Sequence, residues 1–172
     1  YSRMMDNAAD REQRGTYLAK GGAQYHKSIT EARTAGDEPS QAYSIGFLAG
    51  LYETEGRYAE SLQLSRAALR LAQKHKMSDA VYQWQWLVGR LHNQLGDRDR
   101  AIGAYKTAVD NLTSIRSDLA IVYGNENSPT TFRDSVGPIY YELADLLLKK
   151  ADETEEGPAR SALLVEARAT VE

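Results

Sequence analysis

The sequence predicts an all-α protein, a right-handed superhelical stack of about four antiparallel helix pairs, or α-solenoid. Three observations carry that expectation. The chain resembles itself when shifted by 40 positions, its apolar residues recur at spacings of three and four, and no sustained period-two run occurs. At that shift Leu48 falls on Val88, Ala49 on Gly89, Tyr52 on His92 and Gly56 on Gly96. Ser61 then meets Ala101, Leu62 meets Ile102, Ala68 meets Ala108 and Leu69 meets Val109. One step further back, Tyr25 lands on Tyr105, Ser28 on Ala108, and Ile29 on both Leu69 and Val109. A lone hairpin buries only one of its two apolar faces, so repeated pairs must stack to cover the other.

The first unit, residues 1–37, reads as a helix pair turning near Gly15, with Gly21-Gly22 in its second helix. Each interior glycine costs a helix about 1 kcal/mol relative to alanine, so either helices approach closely there, the preferred expectation, or the helix is broken. In the second unit, 38–77, Pro39 suits a first helical turn. Ile45, Leu48, Ala49 and Tyr52 form one stripe, Gly56 breaks it, and Tyr58, Leu62, Ala68, Leu69 and Ala72 form another. That stripe ends at Lys74 and Lys76, basic residues suited to a helix C-terminus. The third unit, 78–123, has Val88, Leu91 and Leu95, a turn at Gly96-Asp97, then Ile102, Tyr105, Ala108, Val109 and Leu112. Ser78-Asp79 and Asp97 are its expected N-caps, since their side-chain oxygens accept from otherwise unpaired amides. Beyond Leu112, residues Leu119, Ile121 and Val122 suggest an overlong helix and 124–129 a loop. The fourth unit, 130–172, places Ile139, Tyr140, Leu143, Leu146 and Leu147 in one helix and Leu163, Leu164 and Val171 in the next. The acidic run 152–156 between them is expected to be a solvated loop. The last helix should leave an apolar face uncovered, and a chain opening at Tyr1 reads as a piece of something longer.

These units resemble the tetratricopeptide repeat, W-x2-L-G-x2-Y followed by A-x3-F and a small residue. The second unit has Ile45-x2-Leu48-Ala49-x2-Tyr52, and the third has Gln85-x2-Val88-Gly89-x2-His92. Their second helices have Ser61-x3-Ser65-x2-Ala68 and Ala101-x3-Tyr105-x2-Ala108. A period of 40 in place of 34 implies second helices longer by about one and a half turns. A second likeness begins at Tyr82-Gln83-Trp84-Gln85-Trp86-Leu87-Val88-Gly89-Arg90-Leu91. It continues through Ala104-Tyr105, Ala108-Val109, Ser114-Ile115-Arg116-Ser117-Asp118-Leu119 and Phe132-Arg133-Asp134-Ser135-Val136-Gly137-Pro138-Ile139-Tyr140. Over residues 42–148 this series is similar to the repeats that precede the caspase-like domain of bacterial CHAT-domain proteins. The resemblance implies a peptidase-like domain beyond Glu172, whose His and Cys dyad is not in this chain.

Composition narrows the function. A formal net charge of -3 argues against a broad phosphate-binding face, so no nucleic-acid partner is expected. Without cysteine there is no disulfide, thiolate metal site or cysteine nucleophile. No apolar run reaches the roughly 18 residues of a membrane span, and the polar opening has no signal-peptide pattern; the compartment stays open. His26, His75 and His92 fall in three different units, with no H-E-x-x-H and no calcium loop, so neither metal nor cofactor is expected. His92 fills an aromatic slot, which points to packing. No G-x-S-x-G elbow occurs, and the fragment is expected not to be an enzyme.

Binding remains. In this architecture the first helices line the concave wall, and counting outward from the apolar stripes puts Tyr43, Gly50 and Glu53 there from the second unit. The third contributes Gln83, Trp86, Arg90, Asn93 and Gln94, and the fourth Tyr141, Asp145 and Lys149. An exposed Trp beside Arg, Asn and Gln has the composition of a binding hot spot. Trp84 is expected to plug the packing between pairs, and for Trp86 packing and binding both stand. The expected function is a non-enzymatic scaffold holding a peptide or partner protein, with the chain's own peptidase-like domain as one such partner. The alternative is a structural spacer that self-associates through its open ends.

Overall fold

The computed structural model describes residues 2–115 and 132–171, with side chains from Gly15 to Ile115 and from Val136 to Val171. Among them it has seven helices and no strand: α1 (Ser2–Ala35), α2 (Glu38–Thr54), α3 (Tyr58–Lys74), α4 (Ser78–Gln94), α5 (Arg98–Ser114), α6 (Phe132–Glu153) and α7 (Pro158–Val171). The all-α expectation holds, and within α1 to α3 and within α4 to α7 neighbouring helices pack on one another, consistent with an α-solenoid of helix pairs. The chain divides after His75 into two compact units, one holding α1 to α3 and the other α4 to α7.

The underlying beat is 20 residues. Helices α2 to α5 are each 17 residues long and begin at positions 38, 58, 78 and 98. Second helices are therefore no longer than first ones, which corrects the length implied by the tetratricopeptide pattern. The corners explain the regularity. Gly36, Gly56 and Gly96 have φ of 70°, 74° and 81°, and Lys76 takes the fourth such position at 53°. At Gly56 the Arg57 amide donates to the Tyr52 carbonyl (2.9 Å) and the Gly56 amide to Glu53 (3.0 Å). At Gly96 the Asp97 amide reaches His92 (2.9 Å) and the Gly96 amide Asn93 (3.0 Å), so the two glycines occupy equivalent corners. Gly36 repeats both bonds. This is the Schellman ending, in which a left-handed residue returns two amides to the last turn's orphan carbonyls.

Asp37 and Asp97 cap α2 and α5, accepting from the amides of Ser40 and Arg100 at 3.0 and 3.1 Å. Ser78 and Asp79 do not cap α4: its N-cap is Met77, without a side-chain bond, and both lie inside the first turn. Leu95 is a C-cap residue and exposed, because the stripe has already turned past the core. The expected turn at Gly15 is absent, since α1 is one 34-residue helix. Gly15 lacks the positive φ that ends a helix at the other corners. Gly21 and Gly22 stay helical beneath Leu51 of α2, whose methyls lie 3.8 and 3.5 Å from where their Cβ atoms would be.

In the first unit α1, α2 and α3 bury Ile29, Ile45, Leu48 and Leu62 with small residues, among them Ala42, Ala49, Ala68 and Ala72. Ser61 is fully buried and donates its hydroxyl to the Ala49 carbonyl at 2.6 Å, a bond only a small side chain allows. The second unit's core joins Tyr82, Ile102, Tyr105 and Leu112 to Val136, Ile139, Leu143, Leu146 and Leu147. In α7 only Ala167 is buried; Leu163 is half-buried, and Leu164 and Val171 are exposed, because the inward stripe runs 163, 167, 170. Of the acidic run, Asp152 and Glu153 are helical and Glu153 pairs with Arg98, so it is not wholly a loop. The expected overlong helix at Leu119, Ile121 and Val122 and the loop at 124–129 lie outside the described residues.

Candidate functional site

Gln83, Trp86, Arg90 and Asn93 follow one another at steps of three and four, which puts them on one face of α4. The indole of Trp86 is half-buried, which leaves room for both the packing and the binding expected of it, and packs partly against the second unit's core. Its Nε1 donates to Glu142 Oε2 on α6 at 2.7 Å. The buried Tyr105 of α5 donates its hydroxyl to the same oxygen at 2.6 Å. Across the ring, the Arg90 guanidinium carbon stands 4.8 Å from the centroid, a cation–π arrangement. Three helices thus contribute to one constellation of aromatic, cation and carboxylate.

The electrostatics are consistent with that geometry. Burial, and then the Glu142 carboxylate, push the Tyr105 phenol far above its ordinary value, so it stays a proton donor at any physiological pH. The carboxylate collects two donors on one oxygen, and bonds of this charge-assisted kind are roughly twice as strong as neutral ones.

Of the other expected contact residues, Gln83 is half-buried, while Asn93 and Gln94 are exposed on the last turn of α4. Tyr141, Asp145 and Lys149 are exposed on α6, with Asp145 and Lys149 paired at 2.7 Å. Tyr43, Gly50 and Glu53 are half-buried on α2, in the first of the two compact units, α1 to α3. There Tyr43 stacks on Phe47 at 6.2 Å, and Phe47 on Tyr25 of α1 at 6.0 Å, a small aromatic ladder of its own. Trp84 is buried, as packing requires.

Glu142 and Phe47 escaped the sequence reading. Glu142 sits between core residues and the outward Tyr141, so spacing alone files it as a solvated acid. Phe47 adjoins Leu48 of the core stripe and looks like part of it.

Elsewhere the chemistry is sparse. His92 is buried with Nδ1 3.9 Å from Asp97 Oδ2, His75 pairs with Glu38 at 2.6 Å, and His26 lies 3.5 Å from the Tyr52 hydroxyl. Among the described residues no group of three metal-ligating side chains converges, and no helix is long and apolar enough to cross a membrane. An open groove of about 800 Å³ runs from the α4–α5 corner to the end of α6. Its charges are already matched, Arg98 with Glu153 and Lys150 with Asp99.

No protein-family model matches the chain, nor does any curated protein. Among solved structures it is similar to BtubC (BKLC) from P. vanneervenii, at 24% identity and a TM-score of 0.52. The match covers 89% of this chain and 56% of the other, so the chain spans a little over half the length of BtubC. At that identity the likeness is one of fold, and it supports a helical-repeat architecture.

Proposed function

We propose that the chain is a non-enzymatic interaction scaffold of tetratricopeptide type, binding an extended peptide or a partner domain on the face of α4 and α6. One observation carries the reading: Trp86 is held at its edge by Glu142, covered on one face by Arg90, and still partly open to solvent. Aromatic anchors beside Arg dominate binding energy at protein interfaces, and amides such as Gln83, Asn93 and Gln94 suit the main chain of an extended ligand. The ordered residue series from Tyr82 to Tyr140 extends the reading to a bacterial CHAT-domain protein, whose downstream caspase-like domain is one candidate partner.

The test is an array of extended peptides probed with the parent chain and with a Trp86→Ala, Arg90→Ala double variant of unchanged thermal melting. Loss of the parent's binding pattern in the double variant is expected. The same pattern from both proteins overturns the proposal.

A second reading, a spacer or self-association module, is favoured by α7, which exposes Leu164, Val165 and Val171. Light scattering over a range of concentrations separates the two, since a chain that stays monomeric removes self-association.

A further inference from the structure

We infer that Glu142 and Tyr105 are positioning residues for the Trp86 anchor, and that position 89 is glycine so that they can act. The inference rests on the reading of Trp86 as the anchor, but its evidence is separate. A tryptophan on a helix surface samples several rotamers about its two side-chain torsions. The bond from Nε1 to Glu142 Oε2 removes that freedom, turning the polar edge of the indole towards α6 and leaving its face for contact. An anchor already ordered loses less entropy when a ligand arrives.

Glu142 is itself held, because the Tyr105 hydroxyl donates to the same oxygen. Tyr105 reaches it from α5 by passing beneath α4 at Gly89. A Cβ at position 89 would stand 2.6 Å from Tyr105 Cδ2 and 2.8 Å from Cε2, closer than carbon atoms approach without bonding. The ring is 2% exposed and pinned at its hydroxyl, so it has nowhere to retreat. Gly89 is therefore the first link of a chain running through Tyr105 and Glu142 to the indole, although it touches no ligand.

The test reads the indole and needs no ligand. The chain has two tryptophans, so a Trp84→Phe background leaves Trp86 as the single emitter. Emission maximum, acrylamide quenching and thermal melting are recorded together. Glu142→Leu should red-shift the emission and make the indole more easily quenched. Glu142→Gln, whose amide oxygen still accepts from Nε1, should keep the signature of the background protein. Tyr105→Phe and Gly89→Ala should shift it in the same direction as Glu142→Leu. The proposal is overturned if Glu142→Leu leaves the indole unchanged, or if Gln and Leu at 142 shift it equally. Should Glu142→Leu fail to fold, Tyr105→Phe decides, and an unchanged signature there overturns the claim. The double variant at Trp86 and Arg90 tests partner binding separately, so a failure of the anchor reading, seen in peptide binding, is told apart from a failure of indole positioning, seen in the emission.

Discussion

Lys76 carries the left-handed φ that glycine supplies at the three equivalent corners. A side chain there costs roughly 1–2 kcal/mol relative to an unstrained backbone. Lys76→Gly should therefore raise the stability of the chain by about 1 kcal/mol after glycine's greater unfolded entropy is deducted, as measured by urea unfolding. Gly22 presents the opposite case. It lies within α1, and a Cβ there would meet Leu51 Cδ2 at 3.5 Å, ordinary contact distance. Gly22→Ala should stabilise by up to about 1 kcal/mol, and destabilisation in the same experiment would show that the glycine is needed for packing. Single residues were the hardest scale to read from sequence. Gly56 and Gly96 announced themselves because they coincide at the 40-residue shift. Lys76 did not, since nothing in its chemistry signals φ, and Glu142 did not, since its two donors come from helices far away in sequence.

Among elements, the helix pairs were legible because their apolar spacing survives substitution: Ile45, Leu48, Leu62, Val88, Leu91 and Ile102 are all buried. The 20-residue beat was hidden inside the 40-residue one, because alternate helices bury different residue types at like positions. The first helix defeated the reading for a physical reason: a glycine stops a helix only when it adopts positive φ with returning amides, and Gly15 does neither. Where helices cross, small side chains set the distance. Ala101 and Ala108 are fully buried, so enlarging either to Leu should overpack the second unit and cost about 1–3 kcal/mol. Ser61→Ala should cost about 1 kcal/mol through the lost bond to Ala49. Chemical denaturation of the three variants checks both values, and a neutral Ala101→Leu would mean the crossing is looser than its burial indicates.

For the molecule as a whole, exposed ion pairs tie elements together. Lys74 and then His75 hold the Glu38 carboxyl below its ordinary value of 4.5, linking the end of α3 to the start of α2. Lys150 does the same for Asp99 across α5 and α6, and Ser40 for the cap Asp37. A carboxyl whose folded pKa lies below its unfolded value adds stability that is whole above the unfolded value and is lost as pH falls through the folded one. The melting temperature should therefore be level near neutrality and fall on acidification below about pH 4.5. Glu38→Gln should flatten part of that fall, and so should added salt, which screens exposed pairs. Melting curves across pH for both proteins test this, and parallel curves would show the tie contributes nothing.

The face built around Trp86 is tested most directly by isothermal titration of the strongest array peptide into the parent chain and into the Trp86→Ala, Arg90→Ala variant. A fall in affinity of at least about tenfold, the equivalent of 1.4 kcal/mol, is the predicted result. Equal affinities from two equally folded proteins would contradict it.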